Sequence, residues 1–212
     1  MAQVKIKKEE VLSDEHYTLK RYTFDIQKKN GEWEGQSREV FDHGNAATVL
    51  LYNPQEKTVV LTKQFRIATY VNGNASGMLI ETPAGLLEEG EAPEKTMIRE
   101  IKEETGYEIN NVQKIYEAYS SAGAFTEIIH FYIATYTKQQ KVEEGGGLEE
   151  EGEEIKVMEV PFEKALQMVD SGEIKDLKTI TLLHYAQVKQ LFGWKAQTSF
   201  DYFVLQKSFP LV

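Results

Sequence analysis

A run of glycine and charged residues between Gly85 and Tyr107 constrains the fold more than any other part of the sequence. Five residues separate Gly85 from Glu91, and seven more lead to the sequence Arg-Glu-Ile-Lys-Glu-Glu-Thr-Gly at 99–106. The segment 93–105 has the composition of a helix, and the glycine that follows it stands where helices commonly end. The spacing therefore predicts a helix over 93–105 with the charged run on its surface.

Three glutamates of this run share one face of the predicted helix. At 100° per residue, Glu100, Glu103 and Glu104 fall within an arc of about 100°. Like charges on adjacent turns repel one another and weaken a helix, whereas a cation bound between them removes the repulsion. Carboxylate oxygens suit Mg²⁺ or Mn²⁺, which bridge phosphate oxygens and activate water. The pattern therefore indicates a divalent metal site, with Arg99 placed to orient a neighbouring carboxylate.

The rest of the sequence alternates strand-like and helix-like segments, which predicts a mixed α/β fold. Asn30-Gly31 and the loop 53–57 have turn composition, so each is expected to close a hairpin. In the 93–105 helix, Ile98 and Ile101 lie away from the carboxylates and are expected to pack on the body of the protein. Strand patterns occur at 16–26, 33–41, 47–52, 58–64, 78–82, 112–120, 126–136 and 155–160, and the other helical patterns at 161–171 and 178–192.

The pattern also divides the chain into three parts. We expect an N-terminal β unit at 1–43 and an α/β body at 44–193, with the boundary close to a histidine-glycine-asparagine turn. A C-terminal extension at 194–212 follows, and its aromatic residues do not indicate a role.

Charge and composition exclude several classes of protein. The formal net charge of −10 is concentrated in two clusters, because residues 88–104 hold seven glutamates and residues 143–154 hold seven more with no basic residue. The remainder is nearly neutral, so no basic surplus favours nucleic acid as a partner. The apolar runs have only the length of strands, which argues against a membrane span. The absence of cysteine fits a reducing compartment, and we expect a cytoplasmic protein.

The 85–107 pattern resembles the signature of the Nudix hydrolases. Every charged and glycine position of that signature matches, and Tyr107 stands in its final aliphatic place, which affects packing. The resemblance implies an α/β/α sandwich and metal-dependent hydrolysis of a nucleoside diphosphate linked to another group. It implies that Glu100 and Glu104 bind the metal and that Glu103 is a further ligand or a catalytic helper. It also implies a carbonyl ligand at Ala84 and substrate contacts at Gly85 and Leu86.

The similarity extends beyond this signature to the ADP-ribose pyrophosphatase group and, within it, to the bacterial GDP-mannose pyrophosphatases. It rests on the stretches 37–40, 63–66, 70–74, 126–127 and 145–151 and covers about residues 8–190. It implies a homodimer formed by the N-terminal β unit, with sites shared between subunits, and cleavage of GDP-mannose to GMP and mannose 1-phosphate. The alternatives are ADP-ribose cleavage to AMP and ribose 5-phosphate, against which Ala122 replaces a usual proline, and a non-catalytic nucleotide-sugar sensor.

This resemblance suggests further substrate and catalytic residues. Arg38, Arg66 and Lys178 are candidates for contacts with phosphates or a base edge, although surface ion pairs are the alternative. The loop after the three glycines at 145–147 is expected to bring one catalytic or metal-binding carboxylate to the site, with Glu151 favoured over Glu153; the alternative is a solvated loop. The remaining candidates for substrate contact are His16, Glu39, Glu127 and Glu150.

Overall fold

A three-stranded antiparallel sheet forms the N-terminal part of the protein. The computed structural model describes residues 3–148, 150 and 152–193, so the predicted extension at 194–212 lies outside the described residues. The strands are β1 (Val4–Asp14), β2 (Thr18–Gln27) and β3 (Trp33–Asp42), in the order β1-β2-β3. The β2–β3 hairpin closes at Asn30-Gly31 as predicted. Sequence patterns missed β1, because nearly all its side chains are exposed and lack a buried face.

A seven-stranded sheet forms the centre of the remaining fold. Its main path is β10-β5-β4-β9-β8, with β6 paired to β5 and β7 paired to β4. The β4 and β9 strands are parallel, whereas every other pair is antiparallel. The strands are β4 (Ala46–Asn53), β5 (Thr58–Phe65), β6 (Met78–Glu81), β7 (Ala84–Leu86), β8 (Gln113–Tyr119), β9 (Ile128–Thr135) and β10 (Lys156–Pro161).

Helices cover both faces of this sheet, which confirms the α/β/α sandwich. The helices are α1 (Ile67–Val71), α2 (Pro93–Thr105), α3 (Phe162–Asp170) and α4 (Leu177–Val188). Successive residues of β4 point to opposite faces, so Val49 packs in one core with α2 and Leu50 packs in the other with α3 and α4. Among the described residues, no helix is long and apolar enough to cross a membrane.

The α2 helix has the predicted ends, but its buried face differs from the expectation. It runs over Pro93–Thr105 and ends at Gly106, whose φ of 74° lies in the left-handed region that favours glycine. Ile101 is fully buried as expected, whereas Ile98 is only half-buried, so it packs on the body less fully than Ile101 does. The reason is that Met97, one residue earlier, fills the core and turns Ile98 about 100° away from it.

Backbone hydrogen bonds join the N-terminal sheet to the rest of the fold. The amide of Phe41 donates to the carbonyl of Ala124 at 2.8 Å, and the amide of Thr126 donates to the carbonyl of Phe41 at 3.2 Å. The Phe41 ring packs edge-on against Phe125, with ring centroids 5.3 Å apart. The end of β3 is thereby held against the loop that leads to β9.

Candidate active site

Glu100 and Glu104 lie one turn apart on α2 and face β7. The Glu104 carboxylate is almost completely buried, and its Oε2 accepts a hydrogen bond from the amide of Ala84 at 3.3 Å. A Cβ at Gly85 would lie 2.1 Å from Oε1 of Glu100, so only glycine allows this carboxylate to rest against the strand. The pairing of β7 with β4 fixes both residues of the strand, which explains the glycine at the start of the signature.

The two carboxylates have strongly perturbed pKa values. Burial raises the pKa of Glu104 well above its usual value, and the charges of Glu100 and Glu153 raise it further. Burial also raises the pKa of Glu100 to about 7, despite the opposing effect of Arg99. A bound cation would stabilise the charged forms of these crowded, desolvated carboxylates.

This donor set fits a divalent cation that takes few of its ligands from the protein. In the part of the chain that the structure describes, no group of three Asp, Glu or His side chains is placed to hold a metal ion. Glu100 and Glu104 supply two carboxylates, and the carbonyl of Ala84 lies on the adjoining strand. Mg²⁺ commonly keeps several waters and takes only one or two carboxylates, so a site of this composition suits it. Glu151, predicted as another ligand, lies outside the described residues.

Arg99 connects the acidic residues of the signature. Its guanidinium lies 2.8 Å from the Glu103 carboxylate, 3.0 Å from Glu100 and 3.7 Å from Glu91. Glu91 also accepts a hydrogen bond from the hydroxyl of Thr96 at 2.8 Å. The arrangement supports the predicted orienting role of Arg99. In this structure the Glu103 carboxylate pairs with the Arg99 guanidinium on the same helix.

The three glycines at 145–147 dock on the C-terminal end of α2. The amide of Gly146 donates to the carbonyl of Glu104 at 2.9 Å, and the amide of Gly147 donates to the carbonyl of Glu103 at 3.1 Å. A Cβ at Gly145 would lie 2.6 Å from the carbonyl oxygen of Glu104, and all three glycines have positive φ. These contacts need glycine and attach residues 145–147 to the end of α2 that carries Glu103 and Glu104.

Within this loop, the structure places Glu153 near the buried carboxylates. Its charge contributes to the raised pKa values of both Glu100 and Glu104, and its Oε2 accepts a hydrogen bond from the amide of Leu148 at 3.1 Å. Glu150 is exposed to solvent. The assignment of the catalytic carboxylate to Glu151 or Glu153 therefore stays a prediction.

Two of the predicted cations converge on a residue that sequence reasoning missed. Nε of Arg66 lies 2.8 Å from Oε2 of Glu81, and Nζ of Lys178 lies 3.2 Å from Oε1 of the same carboxylate. Nζ of Lys178 also lies 2.7 Å from Asp176, the N-cap residue of α4. The simple alternative of surface ion pairs does not describe this group, because Glu81 is only 3% exposed. The sequence signal that could have identified Glu81 is its position as an acidic residue at the end of the otherwise apolar strand β6.

The candidates in the N-terminal sheet do not reach this region within one chain. Arg38 hydrogen-bonds the carbonyl of Ser37 and the side chain of Gln36, whereas Glu39 pairs with Arg21. The ring of His16 packs beside Tyr17. Among the described residues, none of these side chains contacts the carboxylates of α2 through a hydrogen bond or an ion pair.

The two other substrate candidates lie at the edges of the region. Leu86 ends β7 and is 39% exposed. Glu127 is mostly buried and lies 3.8 Å from Nε2 of His43, at the junction between the two sheets. Glu127 directly precedes β9. The β9 strand pairs with β4, and β4 also pairs with β7.

We expect the chelator-treated protein to lose thermal stability as the pH rises from about 5.5 to 8. The folded protein binds protons at Glu100, with a pKa of about 7, and at Glu104, whereas both carboxyls have a pKa near 4.5 in the unfolded chain. Stability from the neutral forms is therefore complete at low pH and is lost as the pH passes the folded-state values. For Glu100, after allowance for solvent screening, the loss is about 1–2 kcal/mol.

The measurement is the melting temperature across this pH range, with chelator and with Mg²⁺. Mg²⁺ and the Glu100→Gln substitution should each flatten the decline, because each removes an uncompensated charge. A melting temperature of the chelated protein that is flat or rises over this range would contradict the electrostatic description.

Comparisons with known proteins cover most of the chain. A family profile described as "GDP-mannose pyrophosphatase NudK N-terminal domain" matches residues 3–41, and the profile "NUDIX domain" matches residues 42–189. Curated relatives from Escherichia coli and from Shigella dysenteriae are named GDP-mannose pyrophosphatase. Each is 51% identical over 189 residues, which is 89% of this chain and 97% of the relative.

Proposed function

Because the chain belongs to the Nudix hydrolase family, we propose that it cleaves the pyrophosphate bond of GDP-mannose to give GMP and mannose 1-phosphate, with Mg²⁺ as its cofactor. The family makes it a pyrophosphatase that uses a divalent ion, and the names of its relatives support a nucleotide sugar as substrate. The observation that carries the proposal is the pair of carboxylates on α2, with the half-buried Glu100 against Gly85 and the buried Glu104 bonded to the amide of Ala84. These carboxylates give the site the negative charge that binding of a divalent cation requires, in agreement with the resemblance in the sequence.

Each group of residues in the site has a separate role in the proposed hydrolysis. A bound Mg²⁺ would be held by Glu100, Glu104 and the carbonyl of Ala84, and it would neutralise phosphate charge and lower the pKa of a water. Arg66 and Lys178 bind phosphate oxygens on the other side of the pyrophosphate. A carboxylate of the 148–154 loop takes a proton from the attacking water. Water attacks one phosphorus, and the bridging oxygen leaves with the other phosphate.

This function is tested by metal removal. The protein treated with chelator should release no GMP from GDP-mannose, and addition of Mg²⁺ or Mn²⁺ should restore the reaction, because the carboxylate donors suit both ions. Ca²⁺ is a useful comparison, since its larger size and irregular coordination fit the site poorly. Full activity after chelation would contradict the proposed role of the metal.

We also propose that two chains form a homodimer through the N-terminal sheet and complete each other's sites. Among the described residues, the outer edge of β1 has no pairing partner, and the sheet exposes apolar side chains, including Ile6, Val11 and Trp33. Long, exposed edges and apolar patches are typical of surfaces that associate. Arg38 and Glu39 make hydrogen bonds and ion pairs only within their own sheet among the described residues, which is consistent with a role in the partner's site.

Subunit complementation tests this arrangement. Arg38→Ala and Glu104→Gln homodimers should both be weakly active, because each lacks one part of every site. Random mixing after reversible unfolding should restore about a quarter of the wild-type activity, since half of the dimers then contain one intact site. A mixture of Arg66→Ala with Glu104→Gln is the matched control and should restore nothing, because both residues come from the same chain. The absence of any recovery in the Arg38 mixture would contradict shared sites.

A further inference from the structure

Glu81 joins three elements that are far apart in the sequence. It ends β6, whereas Arg66 follows β5 and Lys178 lies in the first turn of α4. Its two carboxylate oxygens are divided between the cations, with Oε2 facing Nε of Arg66 at 2.8 Å and Oε1 facing Nζ of Lys178 at 3.2 Å. The carboxylate is 3% exposed, so its charge is balanced mainly by these two partners.

The contacts with Glu81 leave donors of both cations available. Arg66 is paired through Nε, and within the described residues its two Nη nitrogens donate no hydrogen bond. The Nζ of Lys178 donates hydrogen bonds to Glu81 and Asp176, which use two of its three N–H groups. The Arg66 side chain is 42% exposed, so the free side of its guanidinium fork is open to a ligand. Glu81 therefore holds the cations without occupying the atoms that would bind a phosphate.

The position of Glu81 connects this group to the metal-binding strand. It lies three residues before Ala84, and its charge contributes to the raised pKa of Glu104. The next residue, Thr82, is anchored by its amide to the hydroxyl of Thr179 at 2.7 Å. The end of β6 is thus fixed to α4 by both a buried hydrogen bond and an ion pair.

We propose that Glu81 is a positioning residue that holds Arg66 and Lys178 together as a preformed clamp for a pyrophosphate group. This inference rests on the proposed function, since it assigns the arrangement of cations at the same site. Removal of the negative charge would have two opposing effects on anion binding. It would raise the net positive charge, but solvent screening at the exposed Arg66 makes this gain small. It would also release the orientation of two cations, and the bidentate geometry of a guanidinium depends on that orientation.

The test measures binding of inorganic pyrophosphate in the presence of Mg²⁺ by isothermal titration calorimetry, together with the kinetics of GDP-mannose cleavage. Glu81→Gln should weaken pyrophosphate binding about tenfold or more and raise KM more than it lowers kcat. Arg66→Ala should also raise KM more than it lowers kcat. The double variant should lose less than the product of the two single losses, because Glu81 acts partly through Arg66.

Two controls separate positioning from a general loss of structure. Tyr136→Phe removes a hydroxyl that bonds Thr58 and Glu159 away from the site, so it should change the melting temperature without changing pyrophosphate affinity. Glu81→Asp keeps the charge, but its shorter side chain cannot span both cations, so it should weaken binding even if Glu81→Gln does not fold. Wild-type affinity in Glu81→Asp, tighter binding in Glu81→Gln or strictly multiplicative losses would overturn the proposal.

The two readouts also separate this inference from the proposed function. If the wild-type protein leaves GDP-mannose intact but its pyrophosphate affinity depends on Glu81, the substrate assignment fails and the role of Glu81 stands. If the wild-type protein cleaves GDP-mannose and Glu81→Gln binds pyrophosphate normally, the function stands and the clamp is overturned.

Discussion

Glu104→Gln is expected to lower the turnover of GDP-mannose about 10³-fold or more while the protein remains folded. The substitution preserves the volume of the side chain but removes one of the two buried charges that would hold the metal, and metal stabilisation of phosphate charge supplies several kcal/mol. Glu100→Gln should have a similar effect, because its carboxylate lies against Gly85 on the same side of α2. Steady-state assays at saturating Mg²⁺ measure the loss.

The same variants should gain stability when the metal is absent. Burial raises the pKa of Glu104 well above its usual value because it destabilises the charged carboxylate, so a neutral replacement should raise the melting temperature of the chelated protein at alkaline pH. Glu89→Gln, an exposed change in the same acidic segment, is the matched control and should alter neither activity nor melting temperature. Turnover of Glu104→Gln within a few-fold of the wild type would remove this residue from the metal site.

Glu151→Gln is expected to lower kcat by about 10²–10⁴-fold, the usual contribution of a general base. The physical reason is the docking of the preceding glycines on the end of α2 that carries Glu103 and Glu104. Glu153→Gln should have the smaller effect, and Glu154→Gln, an exposed carboxylate of the same loop, should have almost none. The measurement is kcat for the three variants as a function of pH.

The pH profile separates a proton-accepting role from a structural one. Loss of a general base should remove the acidic limb of the kcat profile, because the group that must be deprotonated is no longer present. The order Glu153 above Glu151 would assign the role to Glu153, whose charge already acts on Glu100 and Glu104 in the structure. Equal and small losses in all three variants would contradict a catalytic carboxylate in this loop.

Local sequence signals predicted the parts of the fold that depend on near neighbours. The end of α2 at Gly106 and the hairpin at Asn30-Gly31 follow from glycine conformations that few other residues adopt. The predicted α/β/α arrangement and family are also confirmed. Both could be predicted because the 85–107 signature is long and specific. Such features are readable because spacing along the chain directly sets their geometry.

The remaining features depend on contacts between distant segments. The contacts of Glu81 unite Arg66, which follows β5, with the end of β6 and the first turn of α4, and neither a helical nor a strand period connects them. Likewise, β1 has no buried face within one chain to give it a recognisable alternation. Ile98 illustrates a third reason, since competition with Met97 for the core decided which apolar residue was buried.

The proposed function is tested by identification of the products by ³¹P NMR after incubation with Mg²⁺ and GDP-mannose, with ADP-ribose in a parallel reaction. We expect GMP and mannose 1-phosphate in equal amounts, and much slower release of AMP from ADP-ribose. Formation of AMP and ribose 5-phosphate alone would keep the metal chemistry and contradict the substrate. No product from either compound, with intact binding of Mg²⁺, would contradict the assignment of this protein as a nucleotide-sugar pyrophosphatase.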